Sequence, residues 1–166
     1  MPPDGSPPSR SPSAALVEAA RARVREVTPD ELREAQRAGA VVVDLREREE
    51  VVQSGTIPGA IHVPRGVLEF AADPESPVHQ PPLDPARHTV LFCAVGGRSA
   101  LAALTLESLG YRSVAHLAGG IEAWRAEGLP TRAWPEPPAL SAGQAAHGPD
   151  ESLQHRDEHE SGGQGE

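Results

Sequence analysis

Five short apolar runs alternate with helical segments along the middle of this chain, and this alternation restricts the fold more than any other feature. The clearest run is 40–45, where three consecutive valines precede Asp44, as in a strand buried on both faces. The predicted strands span residues 24–27, 40–45, 60–63, 89–92 and 114–117. Strands that alternate with helices pair in parallel, because each helical crossover returns the chain to the same end of the sheet. The sequence therefore predicts a three-layer α/β/α fold around a five-stranded parallel sheet.

Residues with capping preferences indicate where the intervening helices begin and end. Thr28, Pro29 and Glu31 have the types and spacing of a capping box, which predicts that a helix begins here and continues to about Ala38. Gly39 then ends this helix. The other predicted helices span 47–53, 66–71, 98–109 and 121–127, and a Pro-rich connection spans 73–85.

Composition divides the 166 residues into one folded domain with a tail at each end. Residues 1–14 are rich in Pro and Ser and are expected to be disordered, and a short helix is expected at 15–23. The domain is expected to span 24–134. Residues 135–166 carry seven acidic residues against one arginine and little apolar material, so this tail is also expected to be disordered. Histidines in this tail leave metal binding open as an alternative, but we expect no metal site and no cofactor.

Net charge and cysteine content restrict the partners and the compartment. A formal net charge of −9 argues against nucleic acid or an anionic membrane surface as a general partner. No apolar stretch approaches the roughly 20 residues of a membrane span, and the first residues lack the basic and apolar regions of a signal peptide. A chain with one cysteine forms no internal disulfide, so we expect a reducing, cytoplasmic location.

The single cysteine, Cys93, lies where the predicted strand 89–92 gives way to a glycine-containing loop and then to a helix. Gly96 and Gly97 permit positive φ and close backbone approach, so the loop can aim backbone N–H groups at the sulfur. The positive end of the helix dipole and Arg98 point the same way. Such surroundings keep a thiol ionised at neutral pH. A lone cysteine often serves only as a small buried hydrophobe, but glycines and arginine are poor core neighbours, and we favour a reactive thiolate.

Four motifs occur in one order along the chain. They are Asp-Leu-Arg-Glu at 44–47, Gly-Thr-Ile-Pro-Gly-Ala-Ile-His-Val-Pro at 55–64, Cys-Ala-Val-Gly-Gly-Arg at 93–98 and Gly-Gly-Ile-Glu-Ala-Trp at 119–124. Together they resemble the rhodanese homology domain, specifically the single-domain bacterial sulfurtransferases, over roughly residues 24–130. The resemblance implies that Cys93 takes a sulfane sulfur from thiosulfate or an organic persulfide. It also implies that cyanide, glutathione or the thiol of a sulfur-accepting protein then removes this sulfur, with the covalent persulfide in place of a cofactor.

The length of the loop separates two chemistries within this resemblance. Cys93 to Arg98 inclusive is six residues, the length that resembles sulfurtransferases. Related phosphatases and arsenate reductases carry one residue more, which makes a cradle large enough for a tetrahedral oxyanion. We therefore expect a loop that fits one sulfur atom and clashes with a bound phosphate.

The loop is expected to hold the terminal persulfide anion through its backbone N–H groups, which form charge-assisted hydrogen bonds. The residues predicted to contribute are Ala94, Val95, Gly96, Gly97 and Ser99. Arg98 has two interpretations: it stabilises the thiolate and an anionic donor, or it braces the loop against Asp44 or a carbonyl group. The two roles are compatible.

Three further residues are candidates for supporting roles. Asp44 is expected to orient the loop by accepting backbone or arginine hydrogen bonds, because a thiol that is already ionised needs no general base. Arg46 and Arg65 are candidates for the site entrance, where they would attract thiosulfate, and a surface salt bridge is the alternative for each. Thr56 stands where many members of the family carry His, so the resemblance assigns its side chain no role.

Other conspicuous residues are expected to be structural. Trp124 is predicted to pack in the core, and His62 and His116 are predicted to be core or rim residues of their strands. Two functions remain open from the sequence. One is a sulfurtransferase that turns over through a Cys93 persulfide. The other is a domain that carries sulfur to a dedicated protein partner, or only docks on it.

Overall fold

The computed structural model describes residues 11–135, which form a single sheet of five parallel strands. The strands are β1 (Arg25–Val27), β2 (Val41–Asp44), β3 (Ile61–His62), β4 (Thr89–Phe92) and β5 (Val114–Leu117). They lie in the order β1-β5-β4-β2-β3, and every neighbouring pair is parallel. The predicted five-stranded parallel sheet is therefore confirmed, with β4 at its centre.

Residues 11–135 contain six helices, of which the second to the fifth connect consecutive strands. They are α1 (Pro12–Arg21), α2 (Pro29–Arg37), α3 (Arg48–Ser54), α4 (Leu68–Ala72), α5 (Gly97–Ser108) and α6 (Gly120–Ala126), and a 3-10 turn at Arg65–Val67 leads into α4. The capping box of α2 forms as predicted: the Glu31 N–H donates to the Thr28 hydroxyl at 3.2 Å, and the Thr28 N–H donates to the Glu31 carboxylate at 2.8 Å. None of these helices is both long and apolar enough to cross a lipid bilayer.

Apolar side chains cover both faces of the sheet, which makes three layers. On one face Val43 belongs to a core cluster that includes Leu106 of α5. On the other face Val42 belongs to a second cluster, which includes Leu32 of α2 and Trp124 of α6. Because successive residues of a strand point to opposite faces, a continuous apolar run fills both cores at once. The α/β/α fold class is confirmed on this basis.

The helix and strand boundaries depart from prediction mainly at the N-terminus. The expected helix at 15–23 instead begins at Pro12, so residues 12–14, predicted to be disordered, are helical. The Ser11 hydroxyl accepts the Ala14 N–H at 3.3 Å, and proline at the first helical position has no N–H that would lack a partner. Strand β3 is shorter than the predicted 60–63. The disorder predicted for residues 1–10 and 136–166 lies outside the described residues.

Candidate active site

The carboxyl ends of β2 and β4 bring Asp44 and Cys93 to the same edge of the sheet. Asp44 is the last residue of β2 and pairs in register with Phe92, the residue before the cysteine. Ligand sites of parallel α/β sheets lie at this edge. The expectation that the two residues are spatial neighbours is confirmed.

The six residues from Cys93 to Arg98, called the Cys93 loop from here on, wrap around the sulfur. Gly96 has φ of 103°, and its N–H donates to Sγ at 3.2 Å. The Ser99 hydroxyl, in the first turn of α5, lies 3.6 Å from Sγ. Cys93 is 1% exposed, whereas Val95 on the loop is 70% exposed. The sulfur therefore lies beneath the loop, with an exposed apolar side chain nearby.

The sequence predicted that several backbone N–H groups of the loop point at the sulfur, and one of them contacts the sulfur of the resting thiol, whereas the role predicted for the loop in holding a persulfide anion stays a prediction. Among the hydrogen bonds of residues 11–135, Gly96 supplies the one backbone N–H that reaches Sγ. This N–H lies three residues along the chain from the cysteine and points back at its side chain.

The first turn of α6 fixes the position of the Cys93 loop. The Ile121 N–H donates to the Cys93 carbonyl at 2.9 Å, and the Glu122 N–H donates to the Ala94 carbonyl at 3.2 Å. Gly120 has φ of 61°, and a Cβ atom at this position would lie 2.4 Å from the Ala94 carbonyl oxygen. The second glycine of the Gly-Gly motif therefore permits a backbone contact that any side chain would break.

Arg98 binds Glu50 of α3, a residue that the sequence did not single out. The two terminal nitrogens of Arg98 donate to the two carboxylate oxygens at 2.8 and 2.9 Å, a bidentate pair. One of these oxygens also accepts the Glu47 N–H at 2.8 Å. The hydrogen bond from Arg98 is the main cause that lowers the pKa of Glu50 to about 2. Glu50 is in turn the main cause that raises the pKa of Arg98, and Cys93 contributes in the same direction.

The partner predicted for Arg98 was Asp44 or a carbonyl group, and the structure corrects this to Glu50. The Asp44 carboxylate already accepts hydrogen bonds from two other side chains. Arg46 donates to it from Nε at 3.0 Å and from NH2 at 2.8 Å, and the Thr56 hydroxyl donates to it at 2.8 Å. These three residues, the Asp44 cluster, are buried, with Asp44 at 0% and Arg46 at 2% exposure.

Arg46 does not reach the site entrance, which corrects its predicted role. Beyond Asp44, its guanidinium donates to the Ser54 hydroxyl at 3.0 Å and to the Gly55 carbonyl at 2.7 Å. The surface salt bridge weighed as its alternative is also wrong, because the pair is buried. Asp44 accepts arginine hydrogen bonds as predicted, but these brace the chain around Gly55 and not the Cys93 loop. The Thr56 hydroxyl, which had no predicted role, completes this brace.

Arg65 forms a salt bridge, which was the alternative predicted for it. One terminal nitrogen donates to the Glu69 carboxylate at 2.8 Å and the other to the Thr105 hydroxyl at 3.1 Å. These contacts join the 3-10 turn to α4 and to the middle of α5. They engage both ends of the guanidinium away from the residues of the Cys93 loop.

Ser99 connects the sulfur to His116 of β5, a contact that the sequence did not predict. Ser99 Oγ lies 3.0 Å from His116 Nδ1, and His116 Nε2 lies 3.2 Å from Glu26 Oε1 on β1. Burial is the main cause that lowers the pKa of His116, and the Glu26 carboxylate opposes it. The sequence feature that could have revealed this contact is the histidine in the otherwise apolar strand 114–117. Its partner Glu26 is 90 positions away in sequence, so no local pattern joins them.

The remaining candidates have structural positions. Trp124 is 3% exposed and its Nε1–H donates to the Pro130 carbonyl at 2.8 Å, as a core residue should. The half-buried His62 lies at the rim, with Nε2 at 2.7 Å from the Arg46 carbonyl oxygen and its ring 4.7 Å from that of Trp134. Between residues 11 and 135, no three His, Cys, Asp or Glu side chains are grouped closely enough to bind a metal ion.

Comparison with known proteins gives the same family from sequence. The rhodanese-like domain family model matches residues 28–127. The human thiosulfate:glutathione sulfurtransferase is 37% identical over 92 residues, which are 51% of this chain and 78% of that protein. A thiosulfate sulfurtransferase of Pseudomonas fluorescens is 34% identical over 104 residues, which are 61% of this chain and 84% of that protein.

Solved structures agree with this assignment. A Rhodopseudomonas palustris protein of unknown function, described as a possible tyrosine phosphatase, superposes with a TM-score of 0.68 at 36% identity, covering 77% of this chain and 100% of that one. A human single-domain sulfurtransferase superposes with a TM-score of 0.56 at 32% identity, covering 63% of this chain and 97% of that one. The family match spans more than half of the sequence, from the start of α2 to the end of α6, and the chain therefore belongs to the rhodanese-like domain family.

Proposed function

We propose that this protein moves a sulfane sulfur from a donor such as thiosulfate to a thiophilic acceptor through a persulfide on Cys93. It is a rhodanese-type sulfurtransferase, in line with the named activities of its relatives in man and Pseudomonas fluorescens. The observation that carries the proposal is the Cys93 loop. It is six residues long and places a cysteine sulfur against the Gly96 N–H and beside the Arg98 guanidinium.

The first step is attack of the Cys93 thiolate on the outer sulfur of thiosulfate. A new S–S bond forms at Cys93 while the S–S bond of thiosulfate breaks, and sulfite leaves with that electron pair. The charges balance, because a thiolate and a thiosulfate dianion become a persulfide anion and a sulfite dianion. The thiolate is the nucleophile of such exchange reactions, and a covalent intermediate divides the transfer into two easier steps.

Positive charge at the loop stabilises the anionic sulfur in both steps. The Gly96 N–H already points at Sγ. A hydrogen bond to a charged group contributes about 1.5–3 kcal/mol. Arg98 is held in place by its bidentate bond to Glu50, so its charge needs no reorganisation during the reaction. The 12-residue helix α5 begins at Gly97 and adds the positive end of its dipole.

The second step is attack of the acceptor on the outer sulfur of the persulfide, with the Cys93 thiolate as leaving group. That sulfur lies about 2 Å beyond Sγ, the length of an S–S bond. Since Cys93 itself is buried, the persulfide brings the reacting atom closer to the acceptor. The name of the human relative supports a thiol such as glutathione as acceptor. Cyanide and a protein thiol are the other acceptor classes.

We place the protein in the bacterial cytoplasm. A free thiol that must cycle between thiolate and persulfide needs a reducing compartment, where it does not oxidise to a stable disulfide. Cys93 is a free cysteine, which suits this location.

The test is to incubate the protein with thiosulfate and measure its intact mass, followed by addition of cyanide. We expect a gain of one sulfur atom on Cys93, lost again as thiocyanate forms catalytically. Cys93→Ser should show neither, because a neutral hydroxyl does not exchange sulfur. Persulfide formation without turnover would favour a sulfur carrier over the enzyme. Transfer that survives in Cys93→Ser would refute the proposal.

The same preparation separates sulfur transfer from phosphatase chemistry. The loop carries four residues between Cys93 and Arg98, one fewer than in the related phosphatases. We expect no hydrolysis of an aryl phosphate such as p-nitrophenyl phosphate under conditions in which thiosulfate loads Cys93. Hydrolysis of the phosphate ester without sulfur loading would overturn the proposed function.

A further inference from the structure

A continuous line of polar groups leads from the reactive sulfur through the interior to Glu26 on β1. Cys93 Sγ is 3.6 Å from Ser99 Oγ, which is 3.0 Å from His116 Nδ1, and His116 Nε2 is 3.2 Å from Glu26 Oε1. Ser99 and His116 are both 0% exposed. Two polar side chains enclosed in this way interact with each other and with the thiol, because no water competes for them.

The chemistry of the last group fixes the direction of every hydrogen bond in the line. A carboxylate only accepts, so His116 Nε2 carries the proton that faces Glu26. In a neutral imidazole Nδ1 is then a lone pair and accepts from the Ser99 hydroxyl. The Ser99 oxygen in turn accepts from the Cys93 thiol. The Gly96 carbonyl, at 3.2 Å, is a second acceptor for the Ser99 proton.

We propose that His116, oriented by Glu26, receives the proton of Cys93 through the Ser99 hydroxyl and thereby sets when the buried thiol becomes a thiolate. The S–H bond breaks as an O–H bond forms at Ser99, and the original Ser99 proton moves to Nδ1. A neutral thiol and a neutral imidazole become a thiolate and an imidazolium, so protons and charge balance with no redox change. His116 acts through Ser99 and is a positioning residue for proton transfer.

The groups that surround His116 favour this role. β4 presents the apolar Leu91 to it, β1 presents Glu26, and α1 presents Arg21 behind that carboxylate. Burial lowers the pKa of His116, so the resting imidazole is neutral and Nδ1 is free to accept, but the same burial destabilises the imidazolium, an effect that the Glu26 carboxylate opposes. After proton transfer, Glu26 stabilises the imidazolium by charge. Arg21 and Glu26 precede residue 28, where the match to the family model begins.

The inference rests on the proposed role of Cys93 as nucleophile, but it is tested without any sulfur donor. The probe is iodoacetamide, which alkylates only the thiolate, and the readout is the alkylation rate of Cys93 from pH 6 to about pH 10. Near pH 10 a thiol ionises without assistance, because its ordinary pKa is about 8.5. A failure of sulfur loading would therefore leave the alkylation result intact, and the reverse also holds.

The principal variants are His116→Gln and Ser99→Ala. Each is expected to slow alkylation about tenfold at pH 7, because the thiol loses its proton acceptor, and to match the unaltered protein near pH 10. The double variant should be no slower than either single variant, because both interrupt the same line. Glu26→Gln should show a smaller loss with the same pH dependence.

The matched control is His88→Gln. His88 Nδ1 lies 2.7 Å from the Ser113 hydroxyl, so this is also a Ser–His pair, but it precedes β4 and lies at the opposite end of the sheet. Its alkylation profile should equal that of the unaltered protein. The proposal is overturned if His116→Gln alkylates normally at pH 7. It is equally overturned if the deficit persists near pH 10, which would indicate a displaced loop, or if the two single losses are additive.

Discussion

The Asp44 cluster and the Cys93 loop lie at the ends of the neighbouring buried strands β2 and β4, but they differ in how completely their polar atoms are hydrogen-bonded. In the Asp44 cluster the carboxylate accepts from Arg46 and Thr56, and the guanidinium has further partners at Ser54 and Gly55. In the Cys93 loop the sulfur has one backbone donor and one hydroxyl. The polar groups of the first region bind one another, whereas the sulfur of the second region can still accept further hydrogen bonds.

The difference shows that one group of residues at this edge of the sheet stabilises the fold and another provides reactivity. The buried ion pair of Arg46 and Asp44 holds the chain around Gly55 in place, whereas the Cys93 loop presents a reactive sulfur. Burial without complete pairing is costly and is tolerated where chemistry requires it. We therefore expect variants of the Asp44 cluster to lose stability and variants of the Cys93 loop to lose turnover.

The largest expected effect is on stability, from Arg46→Gln. Removal of the cation leaves Asp44 buried without its partner, which should lower the free energy of unfolding by about 3–5 kcal/mol. The matched control is Arg98→Gln, the same chemical change on a pair whose side chains are each 37% exposed, and its loss should stay below about 1 kcal/mol. Urea denaturation measures both. Equal losses would remove the distinction between the two regions.

A loss of turnover of about 100-fold is expected from Gly120→Ala. The new Cβ would lie 2.4 Å from the Ala94 carbonyl oxygen and displace the Cys93 loop. A misplacement of about 1 Å costs rates of this order. The matched control is Gly128→Ala, which has a similar φ of 72° but nothing within 4 Å of the new atom. Thiocyanate formation by the control should stay within a few-fold of normal, and an equal loss in both variants would assign the effect to backbone strain.

A loss of about tenfold in kcat/KM for thiosulfate is expected from Arg98→Gln. One interaction with a charged sulfur has roughly this value, since 1.4 kcal/mol is a tenfold change. Arg98→Lys should recover little, because an ammonium group does not form the bidentate bond with Glu50. Full activity in Arg98→Gln would show that this residue only braces the loop.

The smallest expected effect is a pH dependence of stability from Glu50. Its pKa falls from 4.5 to about 2 in the folded protein, with the Arg98 hydrogen bond as main cause. Between these values the unfolded chain binds more protons than the folded one, so this stabilisation is complete above pH 4.5 and disappears as the pH falls toward 2. Unfolding measured across this range should be flatter in Glu50→Gln. Glu49→Gln, an exposed neighbour on the same helix, should keep the normal slope.

Much of the fold could be predicted because its signals are local. The valine run of β2 and the Thr28 capping box each depend on residues within a few positions of one another. Arg46 was misplaced although a local signal existed, since its partner Asp44 lies only two positions before it in the sequence. Glu50 had no such signal, because it is one of several acidic residues in its stretch and its partner Arg98 is 48 positions away.

The sequence by itself determined the order of strands and helices along the chain, the position of Cys93 after the fourth strand and the number of residues in its loop. Tertiary structure alone decided which charges meet. It paired Arg98 with Glu50, closed the Asp44 cluster and aligned Ser99 with His116 and Glu26. The physical reason is that backbone periodicity and turn chemistry act over a few residues. Ion pairs and buried hydrogen bonds form only after parallel strands bring distant segments to the same edge of the sheet.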